Sequence, residues 1–95
     1  MEIDFDGVDE AVIKREKAKA RKLRKSSWWR KKINSGICYY CGKEVGSKAL
    51  TMDHVLPLVR GGLSSKSNLV PACKECNTDK KDALPFDWEA DREVI

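Results

Sequence analysis

Two Cys-x-x-Cys pairs constrain the fold of this chain more than any other feature of its sequence. Cys38 and Cys41 form the first pair, and Cys73 and Cys76 form the second. Each pair is expected to make a tight turn that presents two sulfurs to one ion, and two such turns supply the four thiolates of a tetrahedral zinc site. Gly42 directly follows the first pair, as a tight knuckle would require. Four thiolates leave no open coordination position, so the zinc is predicted to be structural.

The distance between the two pairs indicates that a folded unit lies between them. Thirty-one residues separate Cys41 from Cys73, more than the roughly 15–20 of a simple zinc ribbon. Residues 36–95 are about sixty in number, and a core of that size is marginal without a staple. Structural zinc would supply the missing stabilisation.

Disulfide pairing is the alternative use of the cysteines, and it requires an oxidising compartment. The sequence has neither an apolar run long enough to span a membrane nor a charged-then-apolar leader. A cytoplasmic location with no membrane partner is therefore expected. Metal binding is favoured over disulfides in that setting.

Charge is distributed unevenly along the chain. Residues 1–13 carry five acidic residues and no basic one, whereas residues 14–32 carry eleven basic residues and one acidic residue. Residues 33–95 are close to neutral, with eight basic and nine acidic residues. A strongly basic segment beside a near-neutral body is typical of a protein with a polyanionic partner. A solvated, highly charged helix is the alternative interpretation.

The basic segment is predicted to be one long α-helix from about Val8 to Ile33, because it lacks proline and glycine and is rich in Ala, Lys, Arg, Glu and Leu. Its apolar residues form no continuous stripe, so most of it is expected to reach outwards as an arm. Trp28 and Trp29 are expected to anchor its C-terminal end by packing, although tryptophans can also stack on bases. Gly36 is a plausible stop.

The texture changes after Gly36. Short apolar pieces alternate with turn signals up to about Asp82 and predict two short strands joined by a loop. "CKECNTDKKD" then predicts a short helix that ends before Pro85. Three parts are thus expected, namely an acidic N-terminus with a basic helical arm at 1–35, a zinc-stapled core at 36–82, and a tail at 83–95. The tail is expected to hold another short helix packed on the core.

Polar residues between the cysteine pairs complete a recognisable arrangement. The stretches that carry it are "TMDHVLPLVRGG", "SNLVPAC" and "CKECNTDKK". Asn68 follows His54 by fourteen residues and Asn77 follows it by twenty-three. In this order and at these spacings, the chain resembles the HNH endonuclease family from about Gly36 to Lys81, in an HNN version with a four-cysteine zinc frame. The resemblance implies a small α+β fold with a ββα-metal core, here preceded by the long basic helix.

The chemistry of the residues fits that resemblance. His54, the only histidine in the chain, has an ordinary pKa near neutrality and can take a proton from water. By analogy with the family, Asp53 and Asn77 would bind one divalent metal, and Asn68 would fix the loop rather than bind metal. Carboxylate and amide oxygens suit Mg²⁺ or Mn²⁺. Adjacent strand residues point to opposite faces, so the strand is expected to end or distort near Asp53 and His54.

The function expected from the resemblance is hydrolysis of DNA phosphodiester bonds, by nicking or cutting. Contacts with DNA phosphates are assigned to seven basic residues: Arg21, Arg24, Lys25, Arg30, Arg60, Lys80 and Lys81. DNA is the expected partner, with no small-molecule substrate, and a homodimer is one way to cut both strands. The prediction extends to a prokaryotic or phage-encoded protein. A zinc-stapled nucleic-acid-binding module without catalysis is the main alternative, and a zinc module that binds proteins is a third.

Overall fold

The computed structural model describes residues 8–81 and residue 83. In this part of the chain, two helices precede a two-stranded antiparallel sheet and a third helix. The elements are α1 (Glu10–Arg24), α2 (Ser27–Ile33), β1 (Leu50–His54), β2 (Leu69–Cys73) and α3 (Lys74–Lys80), with short 3-10 turns at Ser47–Ala49, Leu58–Arg60 and Lys66–Asn68. The predictions for the acidic start, 1–7, and for the tail helix, 84–95, lie outside the described residues. No described helix combines the length and apolar character needed to cross a bilayer.

The predicted single basic helix is in fact two helices. The Asp9 carboxylate caps α1 by accepting from the N–H of Ala11 at 2.8 Å. The break comes at Ser26, whose hydroxyl donates to Leu23 O at 2.6 Å and accepts from Trp29 N at 3.3 Å. Serine competes for backbone hydrogen bonds in this way and favours helix starts over helix interiors. Ser26 therefore ends one helix and caps the next.

The expectation of an arm reaching outwards is wrong for the middle of α1. Glu16 and Ala20 are buried, and the N–H of Ser64 donates to the Glu16 carboxylate at 2.7 Å. Packing of a helix is usually indicated by an apolar stripe, which α1 lacks. The helix instead packs on the loop after β1 through the polar side chain of Glu16. Trp29 is buried, as predicted for an anchor.

The first cysteine knuckle is built around two glycines with positive φ. Gly36 has φ +72° and ends the helical region, with its N–H donating to Ile33 O at 3.0 Å. Gly42 has φ +75°, and its N–H returns to Cys38 O at 3.0 Å. Both positions favour glycine because other residues adopt this conformation at a cost. The knuckle turn and the helix stop predicted at these glycines are confirmed.

The two strands and α3 form the predicted ββα core. β1 pairs antiparallel with β2, with Leu50 opposite Cys73 and His54 opposite Leu69. Every residue of β2 is buried, and α3 begins directly after it. The main hydrophobic cluster consists of Cys38, Leu50, Ala72, Cys73 and Cys76. The cysteines therefore lie inside the small core that they were predicted to staple.

Candidate active site and metal centre

The four cysteines come together as one cluster. The sulfur atoms of Cys38, Cys41, Cys73 and Cys76 all lie within 4.8 Å of one another, and the Cys41 and Cys73 sulfurs are 3.9 Å apart. A tetrahedron with Zn–S bonds of about 2.3 Å has S–S edges of about 3.8 Å. All four thiols are free, since bonded sulfurs would lie about 2.05 Å apart. The cluster fits one metal ion, and its four-sulfur chemistry is consistent with zinc.

Backbone amides prepare the cluster for thiolate chemistry. Burial raises the pKa of Cys38, but N–H groups of Cys41, Cys73 and Tyr40 outweigh it and lower that pKa to about 6. Burial and the neighbouring sulfurs raise the pKa of Cys76. The Cys73 sulfur also accepts from the N–H of Cys76 at 3.5 Å. One sulfur is thus poised to ionise first, and a bound cation would favour the thiolate form of the rest.

Three of the residues predicted for catalysis lie in one cleft, apart from the cysteine cluster. Asp53, His54 and Asn77 line one cavity of about 570 Å³. β1 ends at His54, which is where the sequence required the strand to end or distort. One wall of the cavity comes from α1, through Ile13 and Lys17. The structure therefore brings the three residues together, and it adds a helical wall that lies outside the resemblance to known nucleases.

Asp53 is a buried carboxylate held by two side chains. Its Oδ2 accepts from the Tyr40 hydroxyl at 2.5 Å and lies 3.3 Å from Lys80 Nζ. Burial, followed by the hydrogen bond to Asp53, raises the pKa of Tyr40, so the phenol remains a donor. Both contacts use the same carboxylate oxygen, which fixes the orientation of the group.

The contact with DNA phosphate predicted for Lys80 is contradicted by the burial of its side chain. Its side chain is completely buried, and its ammonium also donates to His54 O at 3.1 Å. The ammonium lies 5.7 Å from the centre of the Tyr40 ring. A buried charge needs a partner of opposite sign, and Lys80 supplies it for Asp53. Lys80 therefore stabilises the end of β1 from inside the protein, and it is not placed to contact a DNA phosphate.

His54 is half-buried, with its ring bonded to a serine. Its Nε2 lies 2.9 Å from the Ser64 hydroxyl. Burial lowers the pKa of His54; Asp53 and Glu16 raise it, while Lys80 and Arg24 lower it. A lowered pKa keeps the imidazole neutral at pH 7, and the neutral form is the one that can accept a proton.

The amide of Asn77 is oriented by a threonine. Asn77 Nδ2 donates to Thr51 Oγ1 at 2.8 Å, and the Thr51 hydroxyl donates to Ala72 O at 2.9 Å. Because the only hydroxyl proton of Thr51 is used on a carbonyl, its oxygen can only accept from Asn77. This assigns the nitrogen of the amide to Thr51 and leaves the Asn77 Oδ1 atom available as a ligand oxygen.

Asn68 closes the loop that follows β1. Its Oδ1 accepts from Leu56 N at 2.8 Å, and its Nδ2 donates to Leu56 O at 3.1 Å and Leu63 O at 2.8 Å. Gly62 allows the loop to cross itself, since an added Cβ would lie 1.8 Å from Leu56 O. Glycine at position 62 is therefore required by the close approach of the loop's own backbone.

The other predicted DNA contacts lie on the surface. Arg60 is exposed in the turn Leu58–Arg60. Lys81 is exposed where α3 ends, and it lines the same cleft as Asp53 and His54. The remaining four are exposed on or beside the N-terminal helices: Arg21, Arg24, Lys25 and Arg30. Apart from Lys80, the basic residues assigned to DNA are thus accessible.

Comparison with known proteins decides the family. A family model described as HNH endonuclease matches residues 38–90, more than half of the chain. The chain belongs to the HNH endonuclease family. It is also 36% identical over 50 residues to the CRISPR-associated endonuclease Cas9 of Actinomyces naeslundii. That match covers 52% of this chain and 4% of the Cas9 protein, so the similarity concerns one small region of a much larger protein.

Family membership supports a nuclease with a nucleic-acid substrate, and it agrees with the ββα core. The matched segment begins at Cys38 and includes both cysteine pairs, Asp53, His54 and Asn77. Tyr40, Thr51 and Ser64 were missed in the sequence, because each acts through another residue and carries no motif of its own. Glu16 lies outside the matched segment. The sequence feature that could have drawn attention to Glu16 is that it is the only acidic residue among residues 14–32.

Proposed function

We propose that this HNH endonuclease hydrolyses DNA phosphodiester bonds with His54 as general base and one divalent metal ion held by Asp53 and Asn77. The observation that carries the proposal is the convergence of these three residues on one cleft in a chain of this family. A module that only binds nucleic acid would need the cysteines and the basic helices, but it would not need this arrangement.

The proposed reaction uses a water molecule as nucleophile. Neutral His54 takes a proton from the water as its oxygen bonds to phosphorus. The bond from phosphorus to the 3′ oxygen breaks, and that oxygen takes up a proton from solvent water. The products are a 5′-phosphate and a 3′-hydroxyl, as the resemblance to the family implies. A hard divalent cation bound beside the histidine would neutralise charge on the phosphate and on the leaving oxygen. Asn68 supports this chemistry by holding the loop that begins after His54.

The donor atoms fit such a cation. Asp53 offers a carboxylate that Tyr40 and Lys80 hold in place, and Asn77 offers an amide oxygen because its nitrogen is bonded to Thr51. Hard oxygen donors suit Mg²⁺ and Mn²⁺. The soft four-sulfur cluster suits Zn²⁺, so we assign zinc to the cysteines and Mg²⁺ or Mn²⁺ to the cleft.

Metal dependence of cleavage is the direct test of this assignment. Purified zinc-loaded protein is incubated with supercoiled plasmid and Mg²⁺, Mn²⁺, Zn²⁺ or Ni²⁺, and nicked circles are measured over time. We expect nicking with Mg²⁺ and Mn²⁺, and none after brief EDTA treatment that leaves the protein-bound zinc in place, because the oxygen donors need a hard cation. Highest activity with Zn²⁺ would contradict the metal assignment, and absent nicking with all four metals despite DNA binding would favour the binding module.

The exposed basic residues are proposed to bind DNA phosphates. Such contacts release condensed counterions, so affinity falls steeply with salt. Replacing Arg21 and Arg24 together by Ala is expected to reduce the slope of log affinity against log salt by about 0.9 per lost phosphate contact. Fluorescence anisotropy on a labelled duplex measures this slope. Lys48→Ala is the matched control, because Lys48 is exposed on the turn before β1, and it should leave the slope unchanged. An unchanged slope in the double variant would remove these two residues from the interface.

Phosphate contacts position a protein without specifying a sequence. One active site cuts one strand, so a double-strand break requires a second copy of the chain or two successive visits.

A further inference from the structure

We propose that Ser64, held by α1, is a positioning residue that sets the tautomer of His54 and so makes Nδ1 the basic atom of the ring. The inference rests on the proposed function and deepens it, because it names the nitrogen that takes the proton. It also gives the basic N-terminal segment a role in the active site in addition to DNA binding.

The hydrogen atoms around Ser64 can be assigned from the contacts alone. Ser64 Oγ lies 2.5 Å from Glu16 O and 2.9 Å from His54 Nε2. A backbone carbonyl can only accept, so the single hydroxyl proton of Ser64 belongs to the bond with Glu16 O. Ser64 Oγ can then only accept from the ring, which places a proton on Nε2. In neutral imidazole the other nitrogen, Nδ1, carries the free lone pair.

Glu16 holds Ser64 against α1 by its side chain as well as by its carbonyl. The Glu16 carboxylate accepts from the backbone N–H of Ser64 at 2.7 Å and lies 3.0 Å from Lys19 Nζ. The N–H of Ser64, and then Lys19, lower the pKa of Glu16, so the group stays ionised. Glu16 is almost completely buried, although its neighbours in sequence are cations that favour solvent. Its position is explained by the double contact with Ser64.

The alternative explanation is that the contacts between Glu16 and Ser64 only hold α1 against the loop and have no effect on His54. That explanation would not require the Ser64 hydroxyl to face the histidine ring. Ser64 is itself buried, and its oxygen bridges the helix carbonyl and the ring that is proposed to react. This pair of hydrogen bonds, from Ser64 Oγ to Glu16 O and from His54 Nε2 to Ser64 Oγ, is the reason to infer that Ser64 sets the tautomer of His54.

The tautomer can be measured without any substrate. His54 is the only histidine in the chain, so the two imidazole nitrogens give unambiguous signals in long-range ¹H–¹⁵N correlation spectra of the 95-residue chain. At about pH 8.5, two units above the ordinary pKa of imidazole, we expect one protonated Nε2 and one bare Nδ1 in the wild type. Ser64→Ala is expected to give a mixture of tautomers, and Ser64→Thr, which keeps the hydroxyl, to restore the wild-type form.

Cleavage kinetics supply the second readout. Ser64→Ala is expected to lower kcat for plasmid nicking on the order of tenfold to a hundredfold, by analogy with the loss of the hydrogen-bond partner of a metal-binding histidine. KM for DNA should stay within about twofold, because Ser64 is buried and the phosphate contacts are elsewhere. Ser67→Ala removes an exposed hydroxyl from the same loop and should change neither readout.

The outcomes separate this inference from the proposed function. A wild-type ring protonated on Nδ1 overturns the inference whether or not the protein cuts DNA, and this measurement does not depend on any variant folding. A Ser64→Ala variant with the wild-type tautomer and kcat also overturns it. If the wild type shows the Nε2 proton but never nicks DNA, the tautomer assignment stands and the nuclease mechanism fails.

Discussion

His54→Ala is expected to lower the rate of plasmid nicking by about 10²- to 10⁴-fold, the usual contribution of a general base. The reason is that His54 is the only imidazole in the chain and lies in the cleft with Asp53 and Asn77. Rates are measured with Mg²⁺ or Mn²⁺ and saturating plasmid, and DNA affinity is measured separately. Affinity should stay near that of the wild type, because the basic residues assigned to phosphate contacts are unchanged.

Two controls make the result interpretable. Added imidazole should restore part of the rate to His54→Ala, because a small base can enter the space that the ring has left. It should not restore the rate to Asp53→Ala, where the lost group is a metal ligand. Nicking by a mock preparation made without the protein would reveal a contaminating nuclease. With that excluded, equal nicking by the wild type and His54→Ala would refute the role of His54.

Cys38→Ser is expected to unfold the protein at ordinary temperature, the largest effect on stability predicted here. Structural zinc in small domains contributes an apparent 10–16 kcal/mol at neutral pH, which is as large as the entire free energy of unfolding of a typical domain, about 5–15 kcal/mol. Cys38 is a buried member of the main hydrophobic cluster, and the serine oxygen is a poorer zinc ligand than a thiolate. Bound zinc measured by mass spectrometry and far-UV circular dichroism should both report the loss.

Thr78→Ser is the matched control for this variant, because Thr78 is exposed on α3 close to the second cysteine pair. It should keep one zinc ion per chain and a native spectrum. Cys38→Ser and His54→Ala should then differ clearly, since the first loses fold and cleavage together and the second loses cleavage alone. A folded Cys38→Ser protein with its full metal content would refute the four-thiolate assignment.

The zinc frame and the ββα core could be predicted because their signals are local. Cys-x-x-Cys spacing, Gly42 after the first pair and the short apolar runs each specify a turn or strand within a few residues. The break at Ser26 was missed because no proline or glycine marks it in the sequence, and one serine hydroxyl decides the outcome. Helix propensity summed along a segment does not predict whether one serine breaks the helix.

The residues that orient the site could not be predicted, because they depend on contacts between distant segments. Glu16 and Ser64 are 48 positions apart, and Tyr40 and Asp53 are 13 apart. Lys80 looks like an ordinary lysine near a helix end, and only the packing of α3 under β1 shows that its ammonium is buried beside Asp53. Glu16 was conspicuous as a lone acid among bases, but sequence alone did not identify its partner.

The adjacency of Cys76 and Asn77 on α3 affects how the protein is made. A growing chain emerges from the ribosome N-terminus first, so α1, α2, the first knuckle and His54 all appear before the second knuckle. The last cysteine of the cluster and the proposed ligand Asn77 then emerge as consecutive residues. No nascent chain that lacks the fourth thiol can contain the complete cleft. The fourth cysteine of the cluster and the second proposed ligand of the cleft metal are therefore added in consecutive steps of translation.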